Sequence, residues 1–497
     1  MALTSSLYSG VSGLINMGNA MQVIGDNISN VNTTGFKAAT ATFQDIMAQS
    51  LNTARGGSQV GRGASMSDVA PLFTQGSFES TSSPTDLAIG GNGFFIVSNP
   101  NVENSQYFTR AGQFHIDQYG FLVNPAGLRV QGWEMETQPD GTAEIIGAIG
   151  DIQLSNSSSP VATSQATVTV NLDSRVAGPT STNDLTTDWL AVRGASPPGE
   201  LAVNVHYEYK TTFNVYDSLG TTHEITVYFD RQDPTVAGQE RQWEFLVTCN
   251  PEDDKGPAAS AAEQGLLMRG TINFTSQGQI ESFGTLEAYH YADGSPSAWH
   301  NATFGDHNYP QLTAFFLDPS GNGGGGNADS SAQLLEFNFG ARAVDPTAAT
   351  IVWNTEAITT TQYANRSSTL FYDQDGFGAG FLETLNVDSE GVISGSYSNG
   401  RIISLAQISL ARFNSPTDLA REGGSLWRET TASGAPITGP PRTNGLGTIA
   451  SNALEQSTVD MGTEFVRLIT TQRAFQANSR VITTTDDMLN ELLNMKR

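Results

Sequence analysis

The 497-residue chain has a single cysteine, Cys249, so no intramolecular disulfide and no cysteine-based metal framework can form. Lysine is almost as scarce, at Lys37, Lys210, Lys255 and Lys496 alone. Its 24 Lys plus Arg stand against 50 Asp plus Glu, a net charge of −26 that phosphate backbones and anionic lipid would repel. Nucleic-acid binding and membrane insertion are therefore not expected. No run of eighteen apolar residues occurs, and the N-terminus lacks the basic region, apolar segment and small-residue cleavage site of a secretory signal. Motifs for metals, nucleotides and covalent catalysis are missing too. His115, His206, His223, His290, His300 and His307 show no metal-ligand spacing and are expected at the surface or in turns. Asp373, Asp375 and Gly378 resemble the start of a calcium loop, but Phe377 and Thr384 stand where ligands belong. Residues 321–326 lack the Gly-Lys-Ser/Thr ending of a phosphate loop, and Gly91-Asn92-Gly93 lacks the third glycine of a dinucleotide fingerprint. Cys249 has no identifiable base, and no Gly-x-Ser-x-Gly elbow occurs. No catalytic residue, cofactor or metal is expected.

What the chain does have is 51 glycines, abundant aromatics and only 15% charged residues, a composition of β structure with many tight turns. The ends differ from the middle. Leu3, Leu7, Leu14, Met17, Met21, Ile24, Ile28 and Val31 mark a heptad seam of about four turns of the repeat, with Gly10 on the same stripe. From Met1 to Phe36 only Asp26 is charged, so the polar side of this helix is expected to meet other protein rather than water. At the other end Leu454, Met461, Leu468, Phe475, Ile482 and Leu489 are spaced seven apart, flanked by Phe465, Ile469, Leu492 and Leu493. Asn452 and Glu455 read as the capping box of this second helix, and Arg467, Arg473 and Arg480 as surface partners of Asp460, Glu464 and Asp486.

Between the ends, Asp-x-x-Gly recurs at Asp117, Asp217, Asp318 and Asp388, each predicting a type I turn between short antiparallel strands. Phe213 and Val215 before one such turn, and Ile225, Val227 and Phe229 after it, alternate as half-buried strands do. Phe114 and Ile116 are likewise joined to Phe121 and Val123, with Asn124 to Gly127 as a further turn. Composition shifts at 155–160 and 321–327 suggest an insertion. The expected fold is multidomain and mainly β with long terminal α-helices: nested, discontinuous antiparallel β domains on a helical coiled-coil core. Its parts are a helical domain (1–31 plus 450–497), a linker (32–70), a middle β domain (71–155 plus 333–445) and an inserted outer β domain (156–332).

The run Asn27-Ile28-Ser29-Asn30-Val31-Asn32-Thr33-Thr34-Gly35-Phe36-Lys37 is similar to the signature of the rod and hook branch of the bacterial flagellar axial proteins. The resemblance extends to Gly90-Gly91-Asn92-Gly93-Phe94-Phe95, Phe108-Thr109-Arg110-Ala111-Gly112-Gln113-Phe114, Val459-Asp460-Met461 and Gln472-Arg473-Ala474-Phe475-Gln476-Ala477-Asn478. The length, together with Val215-Tyr216-Asp217-Ser218-Leu219-Gly220, resembles the hook members of that branch, since rod members lack a large middle insertion. The resemblance implies a short curved tube with terminal helices innermost, acting as a universal joint that carries motor torque to the filament. It further implies export through the flagellar type III apparatus without a cleaved signal. Implied partners are copies of itself, the distal rod, the hook cap, the hook–filament junction protein and the length-control ruler. Hooks of one bacterial group use a Cys-Asn pair for lysinoalanine links between subunits, and Cys249-Asn250 resembles that pair, with Lys210 and Lys255 as candidate acceptors. A buried structural cysteine is the alternative. Another flagellar axial component, a secreted β-rich carbohydrate-binding protein and a hydrolase whose carboxylates pair only in space remain rival readings.

Overall fold

The computed structural model describes residues 2–47, 49–53, 56–102, 105–137, 142–195, 205–256, 262–290, 298–317, 332–348 and 350–495. The glycine-rich run 321–327 and the expected turn at Asp318 lie outside them. Among the described residues there are three α-helices: α1 (Ala2–Ser29), α2 (Leu185–Ala195) and α3 (Met461–Asn494). None is long and apolar enough to cross a membrane. The remaining elements are almost all β-strands, and they gather into two compact units.

The first unit comprises residues 1–156, 382–397 and 402–497. Its central sheet interleaves both halves of the chain in the order Val392–Tyr397, Ile402–Ile408, Arg129–Thr137, Phe94–Ser98, Gln106–Thr109. Alternation along Phe94–Ser98 sends Phe95 and Val97 into one core with Val130, Ile393, Ile408 and Leu410. Phe94 and Ile96 go to the opposite face, against Phe108, Phe413 and Trp427. Phe73 caps that second cluster, its ring 5.3 Å from Phe94 and 5.0 Å from Trp427. Within the stretch expected as a linker (32–70), Ala39–Asp45 instead pairs antiparallel with Ala64–Pro71. Backbone pairing and contacts with α1 hold this segment, so its largely polar sequence gave little hydrophobic signal.

α1 and α3 run antiparallel against each other in the same unit. They approach closely at two glycines: a Cβ on Gly13 would fall 2.5 Å from the Asn478 side chain, and one on Gly10 3.1 Å from Ile482. The C-terminal helix starts later than its heptad suggested. Leu454 belongs to a strand, Ala453–Glu455, that pairs with Phe78–Ser80, and Asp460 is the N-cap, its carboxylate accepting from the Thr463 N–H at 2.6 Å. Asn452 adopts a φ of +53° before that strand, so no capping box forms with Glu455. A seven-residue period continued by chance through a strand is what misplaced the start.

The second unit comprises residues 157–381 and 398–401. A six-stranded antiparallel sheet runs in the order Tyr209–Tyr216, Thr222–Arg231, Gln242–Cys249, Leu266–Phe274, Ile280–Ala288, His300–Asn301. A five-stranded sheet is ordered Thr303–Phe304, Pro310–Ala314, Gln333–Asn338, Gln165–Asn171, Ser368–Gln374. The hairpin expected around Asp217 is present, with Phe213 opposite Ile225 and Thr211 opposite Val227. Val168, Val170, Leu335 and Phe337 of one sheet share a core with Val215, Val227, Phe245 and Val247 of the other. The strand Gln242–Cys249 is buried on both faces, because α2 covers the side opposite that core through Trp189, Leu185 and Leu246. α2 escaped the sequence reading, as eleven residues with weak amphipathic contrast carry little periodicity.

The return from the insertion lies near residue 382, not 333. Residues 333–374 stay in the second unit because Gln333–Asn338 pairs parallel with Gln165–Asn171, whose other edge takes Ser368–Gln374. That parallel pair departs from the all-antiparallel expectation. Three of the Asp-x-x-Gly turns share one geometry: Asp117, Asp217 and Asp388 each accept the glycine N–H at 3.0–3.1 Å on the carbonyl. The carboxylate of each accepts two further N–H groups, and Gly120, Gly220 and Gly391 have φ between +77° and +85°.

Candidate functional site

The signature run leaves α1 and enters a buried polar junction. Asn27, 1% exposed, brackets one peptide like a strand partner, donating to Ala39 O at 2.8 Å and accepting from Ala39 N at 2.9 Å. Asn30 closes the helix end, donating to Asp26 O at 2.9 Å and accepting from Thr33 Oγ1 at 3.1 Å. Gly35 takes a φ of +67°, and a Cβ there would stand 2.6 Å from Ala111 N. Its N–H donates to Glu455 O at 2.7 Å, while Thr34 is half-buried beside it. Phe36 lies beneath the Arg421 guanidinium, 5.4 Å from the ring centroid.

Lys37 then points inward. Its side chain and that of Glu455 are fully enclosed and meet at 2.7 Å, and Lys37 also donates to Thr74 O at 2.7 Å. Arg110 approaches the second oxygen of Glu455 at 3.4 Å and donates to Gly91 O at 2.7 Å. The Gly76 N–H completes the acceptor side at 2.9 Å. Two cations share one acid, main-chain carbonyls take further donors of both, and the Arg110 Nε is left buried without a partner. Burial pushes the Lys37 amine below its ordinary range, opposed by Glu455, and burial lowers Arg110 in the same way. The network ties residues 37, 74–76, 110 and 455 together, which fixes both terminal helices on the β framework. Glu455, Arg110 and Arg421 were not singled out from the sequence as site residues. The available signal was a lone Arg110 among aromatics in a resembling run.

Of the N-terminal seam, Ile24 is buried, while Leu7, Leu14, Met17, Met21 and Ile28 are half-buried. Val31 lies in the turn after the helix, and the Leu3 side chain is outside the described residues, as are those of Leu492 and Leu493. Gly10, Gly13, Ala20 and the seam residue Ile24 lie against α3. Along α3, Leu468, Ile482 and Leu489 are half-buried, and Met461 and Phe475 exposed. Large apolar side chains remain open on both helices: Tyr8 is 72% and Ile15 59% exposed on α1, and Val466 is 62% exposed on α3 beside Phe465 and Ile469. Tyr8, Val11, Ile15, Gly18 and Gly25 follow one heptad stripe, and at both of these glycines a Cβ would meet nothing within 4 Å.

Two histidines are not at the surface. His223 sits 3.2 Å from Asp217 and stacks on Phe316, and His290, fully enclosed, lies 3.1 Å from Asp254. Carboxylate partners make their burial possible, and such partners were not visible from spacing. Asp375 serves the backbone, accepting from Ser164 N and Gln165 N, and no cluster of three metal-ligating side chains occurs among the described residues. Cys249 is 2% exposed in the second unit's core, where burial pushes its thiol well up. Lys210 lies over the Tyr207 ring and Lys255 donates to Glu252 O, while the thiol is enclosed in the core.

Four family models match the chain: flagella basal body rod protein over residues 7–37, flagellar hook protein FlgE/F/G D1 domain over 88–173, flagellar basal body protein FlaE D2 domain over 200–377, and flagellar basal body rod FlgEFG protein C-terminal over 450–495. The chain is 34% identical to the flagellar hook protein FlgE of Borreliella burgdorferi, with 99% of each covered. It is 32% identical to that of Treponema pallidum and 29% to that of Salmonella typhimurium, again over 99% of this chain.

Proposed function

From the premise that the chain belongs to the flagellar hook protein FlgE family, a family of non-enzymatic structural proteins of the hook and basal body, we propose that it polymerises into the hook, a short curved tube that transmits motor torque as a universal joint. The observation that carries this reading is the incomplete burial of the terminal helices. α1 has one charge in 28 residues and still leaves Tyr8, Val11 and Ile15 outward, which an isolated subunit has no reason to do. Further copies of the chain supply the missing surface.

The proposed assembly seam comprises Leu3, Leu7, Leu14, Met17, Met21, Ile24, Ile28 and Val31 together with Met461, Leu468, Phe475, Ile482 and Leu489, widened by the outward stripe from Tyr8 to Ile15. Asn27, Asn30, Thr34, Gly35, Phe36 and Lys37 hold the seam in place from behind. Torque is carried through the buried junction, and bending is accommodated by sliding between outer domains, since close-packed apolar helices resist deformation. By family likeness the polymer meets the distal rod, the cap and the junction protein at its ends. The subunit reaches its place outside the cell through the type III apparatus, under a length-control ruler.

An antibody raised against residues 156–332, placed by immunogold microscopy on flagella detached with their basal structures, tests the assignment. Label confined to the short curved segment supports it. Label on the rod or junction moves the subunit to another axial component, and absence of flagellar label from an accessible epitope overturns the reading.

A further inference from the structure

α3 carries one buried acid whose hydrogen bonding is half complete. Glu464 is 4% exposed; its Oε1 accepts from Arg467 at 2.8 Å, and its Oε2 has no partner. It lines a cavity of about 300 Å³ between α1, the strand Ala39–Asp45 and α3, with Ala20, Val23, Ile24 and Phe43 among the walls. A carboxylate oxygen withdrawn from water without a donor is costly, so such a place is suited to an incoming donor. The α1 and strand sides of the cavity are mostly apolar, while the α3 side carries Arg467, Thr470 and Thr471 beside the acid. The site therefore fits a long aliphatic stem whose cationic tip shares Glu464 with Arg467, as Lys37 and Arg110 share Glu455.

The same helix carries such side chains where they cannot serve themselves. Arg473 and Arg480 are exposed and take part in no ion pair among the described residues. Residues 464, 471, 478 and 485 face α1, and the stripe through 473 and 480 lies about 200° round the helix from them. Along the axis the two arginines stand about 14 and 24 Å from Glu464, beyond the reach of a side chain on one helix.

We propose that the Glu464 notch is a socket for the Arg473 or Arg480 guanidinium of a second copy of this chain. The proposal rests on the self-assembly reading and deepens it. Socket and plug lie on opposite faces of the same helix, so one neighbour cannot engage both at once: the contact is head-to-tail, each copy offering a socket to one neighbour and a plug to another. The axial stagger between neighbours is then about 14 or about 24 Å, according to which arginine enters. A guanidinium serves better than an ammonium here, because its fork can meet the free oxygen while its stem lies along the walls.

The test is seeded polymerisation of the full-length chain, with the critical concentration read by sedimentation and monomer melting followed alongside. Glu464→Gln and one of Arg473→Gln or Arg480→Gln are expected to raise the critical concentration about tenfold each, with the combined variant no worse than either alone. The arginine whose replacement matters gives the stagger. Both arginine side chains are exposed, so their variants keep the parental melting temperature and any loss is one of assembly. Parental critical concentrations for both arginine variants, or strictly additive effects with Glu464→Gln, overturn the socket while leaving self-assembly standing. Failure of the unaltered chain to grow on any seed overturns self-assembly and the socket with it.

Discussion

The inserted unit and the terminal helix pair solve the same problem to different degrees. In the insertion, Trp243, Phe245, Val247, Phe229 and Phe337 are enclosed between two sheets, and α2 covers the remaining face of the central strand. In the helix pair, close contact comes through Gly10 and Gly13, while Tyr8, Ile15, Phe465 and Val466 face outward. Apolar patterning thus marks a finished interior in one region and an unfinished one in the other. The insertion is equipped to fold from its own residues, whereas isolated helices of this kind are marginal until other helices complete them.

Removing residues 1–29 and 461–497 is the most drastic way to probe this contrast. Sedimentation is expected to show polymerisation abolished, while calorimetry retains the melting transition of the inserted unit. Next in size is Glu455→Ala, which strands Lys37 and Arg110 in a buried site. Urea unfolding of the first unit is expected to lose about 3–5 kcal/mol, with the second unit's transition unmoved.

A comparable but pH-dependent effect is expected in the insertion. Burial raises the Glu244 carboxyl to about 7 despite the N–H it receives from Leu185 at the start of α2. Between pH 4.5 and 7 the folded unit therefore holds a proton that the unfolded chain has released, so its stability falls as pH rises. The fall is up to about 3 kcal/mol. Glu244→Gln should remove that slope from the insertion's unfolding curves and leave the first unit's pH dependence unchanged. Smaller again, Gly35→Ala should destabilise the first unit by about 1–3 kcal/mol through its left-handed backbone and the contact with Ala111. Chemical denaturation monitored at Trp427 would measure it.

Legibility in the sequence followed the range of the interactions. The Asp117, Asp217 and Asp388 turns were readable because each aspartate bonds backbone within four residues of itself. The two long helices were readable from period, but Leu454 kept the period while pairing with Glu79, a partner 375 positions away in sequence. The insertion's end was hidden in the same way, by a parallel pairing of 333–338 with 165–171. The junction was half visible. Lys37 and Gly35 stood in a resembling run, yet Glu455 had a plausible local role that its distant partners overruled. Proposed assembly contacts were legible only as an absence of charge on α1, since their partners are on other molecules.

The interleaved sheet of the first unit also sets a timetable. Arg129–Thr137 borders Ile402–Ile408, and Gly35 waits for the carbonyl of Glu455, so a chain emerging N-terminus first cannot finish that sheet until its last fifth has appeared. The insertion has all its strand partners within 157–381 and can be complete by then. Such a molecule matures from its middle outward, and its ends, the parts left sticky toward other copies, are the last to find their places.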